Sequence, residues 1–125
     1  MNTEELKSLR VVVLCGGWSD ERDVGITSGT ECRRALLECG FKKVDLLDIA
    51  EDRFAEKLAG GNYDVAFPAL HGRFGEDGCI QGMLEVMHIP YAFSGVFSSA
   101  VATQKEAAKV LYAKAGIRTP RGVDL

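Results

Sequence analysis

Val11-Val12-Val13-Leu14-Cys15-Gly16-Gly17 is the stretch that decides the fold. A continuous apolar run rich in β-branched residues suits a strand buried on both faces, because an alternating pattern would leave one face wet. The run covers Val11 to Leu14, and Gly16-Gly17 stops it. A polar loop follows through Asp23. Ser28 with Glu31 three residues later forms a capping box, which predicts a helix beginning there. Cys32, Ala35, Leu36 and Cys39 recur at i, i+3, i+4 and i+7 and give that helix one apolar face. Gly40 stands where a left-handed residue closes a helix.

Working outward, the same alternation repeats. Val44 to Leu47 reads as a second strand, and Phe54, Ala55 and Leu58 mark a short helix closed by Gly60-Gly61. Val65 to Leu70 reads as a third strand, although Pro68 cannot donate to a ladder. After the glycine-rich loop His71 to Gly78, the residues Ile80, Met83, Leu84 and Met87 predict another amphipathic helix. Pro90 to Phe93 looks like a short fourth strand. Thr103 with Glu106 forms a second capping box, with Ala107, Val110, Leu111 and Ala115 as the apolar face and Gly116 as the stop. Val123-Asp124-Leu125 begins a further strand. Strand alternating with helix implies an α/β fold, a mostly parallel sheet with helices on both faces.

Composition narrows the function classes. The chain has 125 residues, one domain's worth, with 46% hydrophobic and 26% charged residues. A net charge of −3 implies no basic surface for nucleic acid or anionic lipid. No apolar stretch is long enough to cross a bilayer. The opening Met1-Asn2-Thr3-Glu4-Glu5 lacks the basic-then-apolar order of a signal peptide, so a cytoplasmic protein is expected. Cys15, Cys32, Cys39 and Cys79 show neither C-x-x-C spacing nor a companion His, and are expected to be buried free thiols.

In open parallel sheets ligands bind beyond the carboxyl ends of the strands, near the point where strand order reverses. Two loops have that position: Gly16 to Asp23 and His71 to Gly78. The first strand and the third are therefore expected to be adjacent and parallel, with Glu21 and His71 lining one concave surface. The first loop is neither G-x-G-x-x-G nor a Walker sequence, and Asp20, Glu21 and Asp23 would repel phosphate. Such a loop suits a cationic group such as an ammonium; a solvated turn accounts for the same charges. His71, at a strand end, is able to exchange a proton or a hydrogen bond with a ligand, and a structural role is equally open. Asp77 is placed to cap the following helix. Lys105 and Lys109, one turn apart, fit an exposed helix face. Ser94, Ser98 and Ser99 lack a His or acid at nucleophile spacing.

Two ordered signatures then become specific. Gly16-Gly17-Trp18-Ser19-Asp20-Glu21-Arg22-Asp23-Val24 resembles the opening of D-alanine–D-alanine ligases, and Leu70-His71-Gly72-Arg73-Phe74-Gly75-Glu76-Asp77-Gly78, continued by Gln81-Gly82-Met83, is similar to that family's second signature. Ile89-Pro90-Tyr91, Ser94-Gly95-Val96, Lys105, Lys109, Gly116-Ile117 and Pro120 follow in the family's order. The resemblance implies a Rossmann-like, pre-ATP-grasp domain over 1–97 that binds substrate, with 98–125 opening the central ATP-grasp region. It implies an ATP- and Mg2+-dependent ligase of peptidoglycan synthesis, homodimeric when complete. By the same resemblance Glu21 is catalytic and substrate-binding, helping to hold the first D-alanine's ammonium; His71 faces that substrate; Lys105 approaches the nucleotide. Most magnesium ligands and the remaining catalytic groups are expected beyond position 125, so the chain reads as an inactive N-terminal part. The alternatives are a stand-alone, non-catalytic module for a small ligand and the equivalent domain of another ATP-grasp enzyme. Two positions depart from the family pattern: Gly25, where Ser is usual, is expected to loosen the loop, and Phe93, where a small residue is usual, to alter packing at the serine-rich turn.

Overall fold

The computed structural model describes residues 1–122. Among the described residues three parallel strands form the sheet: β1 (Arg10–Cys15), β2 (Lys43–Asp48) and β3 (Val65–Pro68), in the order β2-β1-β3. Six helices accompany them among the described residues: α1 (Thr3–Ser8), α2 (Arg22–Glu38), α3 (Phe54–Gly60), α4 (Cys79–Val86), α5 (Val96–Thr103) and α6 (Lys105–Lys114). The strand expected at Val123-Asp124-Leu125 lies outside the described residues.

The β-branched run does what its composition dictates. Val12 and Leu14 belong to a core with Leu58 of α3 and with Ile80 and Leu84 of α4. Val11 and Val13 belong to the opposite core, against Cys32 and Leu36 of α2. Val12, Val13 and Leu14 have no exposed surface, and each such burial is worth roughly 1.5–3 kcal/mol. Helices therefore cover both faces, as the alternation implied. The chain leaves β1 for β2 on one side and returns for β3 on the other, so strand order reverses at the β1/β3 junction. The two glycine-rich loops leave the carboxyl ends of these neighbours, and that junction positions the site.

Several local expectations are corrected. Helix α2 begins at Arg22, with Glu21 as a cap that makes no side-chain bond, and Ser28 sits inside it. Its buried residues are Gly25 and Gly29, continued by half-buried Cys32 and Leu36, while Ala35 and Cys39 are exposed. The stripe starts with glycines because the helix follows β1 after a short loop and must lie close to it: a Cβ on Gly29 would overlap that of Cys15. Gly25 is consequently a helix residue and not part of a loosened loop. A Cβ there would stand 3.0 Å from the Gly16 carbonyl oxygen. Gly40, with φ +95°, closes the helix as expected.

The second expected capping box also fails. Extended Gln104 separates α5 from α6 and caps α6. The Thr103 hydroxyl instead donates back to the carbonyls of Ser99 and Ala100, at 3.3 and 3.0 Å. Ala108 is the buried residue of α6, and Ala107, Val110, Leu111 and Ala115 are exposed. Pro90 to Phe93 contributes a single bridge, Ala66 to Tyr91, and not a strand. Helix α1 is an addition to the expected elements, opened by a reciprocal capping box between Asn2 and Glu5. All four cysteines are free, but only Cys15 is buried; Cys32 is half-buried, and Cys39 and Cys79 are exposed.

The outer strands end in particular ways. Ala66 uses its N–H and C=O outward, with Pro90 and Ala92, whereas the Ala69 N–H donates inward to Leu14. Pro68, two residues from Ala66, faces outward, where its missing N–H breaks no ladder bond. At the opposite edge Arg33 of α2 donates from Nε to the Val44 carbonyl at 2.9 Å. Among the described residues, no helix is long and apolar enough to cross a membrane.

Candidate functional site

The loop after β1 is held by an acid that sequence reading passed over. Asp48, at the end of β2, accepts the N–H groups of Gly17 and Ala50 through Oδ1, at 3.1 and 2.8 Å. Arg22, in the first turn of α2, forks onto both carboxylate oxygens and also donates to the Gly17 carbonyl at 2.9 Å. Two parallel bonds fix direction as well as charge. Burial pushes the Asp48 carboxyl up, but Arg22 and the two backbone donors outweigh it and hold the group below the usual carboxylate range. Gly16, with φ +67°, is pressed against this carboxylate, and a side chain there would overlap it. Behind the loop, burial and the nearby Asp48 push the Cys15 thiol up to about 11, so it is an inert core group.

The loop after β3 docks onto the first. The Ser19 hydroxyl donates to the His71 carbonyl at 3.0 Å and accepts the Glu21 N–H at 3.2 Å. Gly72, with φ +69°, lies so close that a Cβ would stand 2.6 Å from Glu21 Oε2 and 3.0 Å from Ser19 Oγ. The His71 ring meets α2 through Nε2, 3.0 Å from Ser28 Oγ. Beside these contacts Trp18 packs edge-on against Phe74, at 6.0 Å between ring centres, and against Phe54 of α3 at 6.3 Å. The loops that carry Glu21 and His71 are thus in direct contact, over adjacent parallel strands.

The second loop carries its own frame. Asp77 accepts the N–H groups of Phe74 and Cys79, at 2.9 and 3.1 Å. Burial raises its pKa, these donors lower it further than burial lifts it, and the net value lies below the ordinary one. Asp77 therefore braces the start of α4 from one residue outside the cap position, which Gly78 holds with φ +95°. Gln81, fully buried, donates to the Gly75 carbonyl at 3.0 Å.

Lys105 stands apart. It opens α6, is exposed, and no hydrogen bond among the described residues joins it to Glu21 or His71. Phe93, Ser94, Ser99, Thr103 and Glu76 line a cavity of about 330 Å³. The Ser99 hydroxyl there is committed to the Ser94 carbonyl at 3.2 Å. Among the described residues no group of three His, Cys, Asp or Glu side chains is placed to hold a metal ion.

Asp48 and Ser28 are the residues that sequence reasoning missed. An acid closing the strand beside a Gly-Gly turn was a usable signal for Asp48. Ser28 was absorbed into a capping pattern that the earlier helix start removes.

Comparison with known proteins defines the class. The family described as D-ala D-ala ligase N-terminus matches residues 48–94. The D-alanine–D-alanine ligase of Citrifermentans bemidjiense is 48% identical over 118 residues, covering 94% of this chain and 38% of that protein. That of Azorhizobium caulinodans is 52% identical over 112 residues, covering 90% and 36%. The crystal structure of the Bacillus anthracis D-alanine–D-alanine ligase complexed with ATP superposes with a TM-score of 0.81 at 34% identity, over 91% of this chain and 37% of that one. D-alanyl-alanine synthetase A of Vibrio cholerae gives 0.77 at 26%, over 91% and 40%. By sequence and by fold the chain belongs to the amino-terminal domain of the D-alanine–D-alanine ligases. It spans just over a third of the length of the curated relatives it matches.

Proposed function

We propose that this chain supplies the first D-alanine site of an ATP-dependent D-alanine–D-alanine ligase serving peptidoglycan synthesis in the cytoplasm. The observation that supports the reading is the contact between the two loops, with Gly72, next to His71, packed against the Glu21 carboxylate. A carboxylate suits the ammonium of an amino acid, and a neighbouring imidazole suits one of its oxygens.

In this reading the first D-alanine's carboxylate oxygen takes the γ-phosphoryl group of ATP, releasing ADP and leaving an acyl phosphate. The amine of a second D-alanine attacks the acyl carbon, and phosphate departs as the amide bond forms. No protein nucleophile is required; positioning and charge carry the rate. The part played here is to bind and orient the first amino acid: Glu21 at its ammonium, His71 beside it, and Lys105 toward the nucleotide phosphates. The described residues offer no magnesium cage, so no step is assigned to the metal within this chain. Residues 1–97 form the substrate-binding domain in this reading, 98–125 open the ATP-grasp region, and the complete enzyme is a homodimer.

The test is a chimera joining this chain to the remaining part of the Citrifermentans bemidjiense ligase. Phosphate release from ATP that depends on D-alanine, and not on L-alanine, is the expected result. A folded chimera that binds ATP but ignores D-alanine would overturn the reading.

A further inference from the structure

Helix α2 carries three hydroxyl residues in its middle turns, and one behaves differently. Thr27 donates to the Asp23 carbonyl at 2.9 Å and Thr30 to the Ile26 carbonyl at 2.8 Å, the usual back-bonding of a hydroxyl to the preceding turn. Ser28 makes no such bond among the described residues. Its Oγ lies 3.0 Å from His71 Nε2. The hydroxyl proton is therefore free to be donated to the ring, and in a neutral imidazole only an unprotonated nitrogen accepts it.

We propose that Ser28 is a positioning residue that holds neutral His71 in the tautomer with the proton on Nδ1. The hydrogen bond made by one ring nitrogen decides which nitrogen carries the proton. No hydrogen bond among the described residues reaches His71 Nδ1, which is left for a ligand. The ring then presents Nδ1–H as its available donor. The backbone is fixed independently, since Ser19 donates to the His71 carbonyl at 3.0 Å. Ring and main chain are thus held from two elements, the loop after β1 and the middle of α2.

The functional consequence rests on the substrate site proposed above. A donor at Nδ1 suits an oxygen of the bound amino acid, while Glu21 serves its ammonium. The two side chains then divide the poles of a zwitterion between them. The opposite tautomer would turn a lone pair toward that oxygen, repelling it.

The tautomer itself is measurable without any substrate, so its failure is distinct from failure of the ligase reading. Nitrogen-15 NMR of the histidine rings in the 125-residue chain, at about pH 8.5 and so roughly two units above the ordinary imidazole value, reads which nitrogen is protonated. His88, exposed at the end of α4, serves as the internal reference. The expected result is Nδ1–H for His71, retained in Ser28→Thr and relaxing to the His88 pattern in Ser28→Ala. Nε2–H in the unmodified chain would overturn the proposal, and that result does not depend on whether the alanine variant folds. An unchanged His71 signature in folded Ser28→Ala would overturn it as well. In the chimera, Ser28→Ala should raise KM for the first D-alanine roughly three- to tenfold, the worth of one neutral hydrogen bond. KM for ATP should not move, and Ser28→Thr should restore the D-alanine value.

Discussion

Glu21 and Asp48 are both loop-facing carboxylates, yet their surroundings assign them opposite tasks. Asp48 is spent inside the protein, on Arg22 and on two backbone N–H groups. Glu21 makes no cap bond and leans on a glycine, so its charge remains available to a ligand. In the chimeric ligase, Glu21→Gln should therefore weaken first-site D-alanine binding by roughly ten- to a hundredfold, the worth of about 1.5–3 kcal/mol for a charge-assisted bond. Asp20→Asn, one residue away and exposed, is the control and should be nearly silent in steady-state kinetics with both substrates varied. If both variants were equally damaging, the loop would be acting only as a charged surface. For Asp48 the expected readout is stability against pH. Burial opposes its charge, but Arg22 and the backbone donors prevail, so its folded pKa lies below the unfolded one. Such a group contributes stability that is present above the unfolded value, about 3.9 for Asp, and is lost as pH falls through the folded value. Denaturant midpoints measured between about pH 7 and pH 2 should fall less steeply in Asp48→Asn than in the unmodified chain, and an equal slope would remove Asp48 from the balance.

Helix α2 shows how far sequence carries at the level of one element and where it stops. Its existence and its closure at Gly40 were legible, because a β-branched run flanked by glycines and an apolar 3.6-residue period leave few alternatives. Its start was not. The Ser28–Glu31 spacing satisfies a capping rule, but the helix already runs from Arg22, with the Gly25 N–H donating to the Glu21 carbonyl at 2.9 Å. A local pattern lost to a tertiary demand, the need to lay the helix onto β1 after a short turn. The same demand hid the true inward face, since its two buried residues, Gly25 and Gly29, are glycines that hydrophobic periodicity does not count. The two loops of the candidate site were legible as neighbours, and the partners that hold them, Asp48 and Ser28, were not, because contacts between residues distant in sequence leave no periodic trace. Gly29→Ala tests the packing. Helix propensity alone would favour alanine by about 0.5–1 kcal/mol. The added Cβ overlaps that of Cys15, however, and overpacking of this kind typically costs about 1–3 kcal/mol. A net loss is expected in urea unfolding, and a gain would mean that α2 is free to move away from the sheet.

At the scale of the whole molecule, the chain spans just over a third of the length of the ligases it matches. Alone, it should release no phosphate from ATP above background, with or without D-alanine, in a preparation free of contaminating ligase; D-alanine-dependent release would mean that the catalytic groups have been misplaced. Helix α6 leaves Val110 67% and Leu111 42% exposed, as Phe97 of α5 is at 72%, an apolar surface of the kind that favours association. Association by that route is to be distinguished from another that small parallel sheets invite. An edge strand is a row of unpaired donors and acceptors, a template on which a neighbour's strand, or a fibril, can grow. Here Pro68 offers no N–H on the outer side of β3, and Arg33 already occupies the Val44 carbonyl on the outer side of β2. Both borders of the sheet are thus poor templates, so copies of this chain that meet would do so through helices, leaving each three-stranded sheet closed to its neighbour.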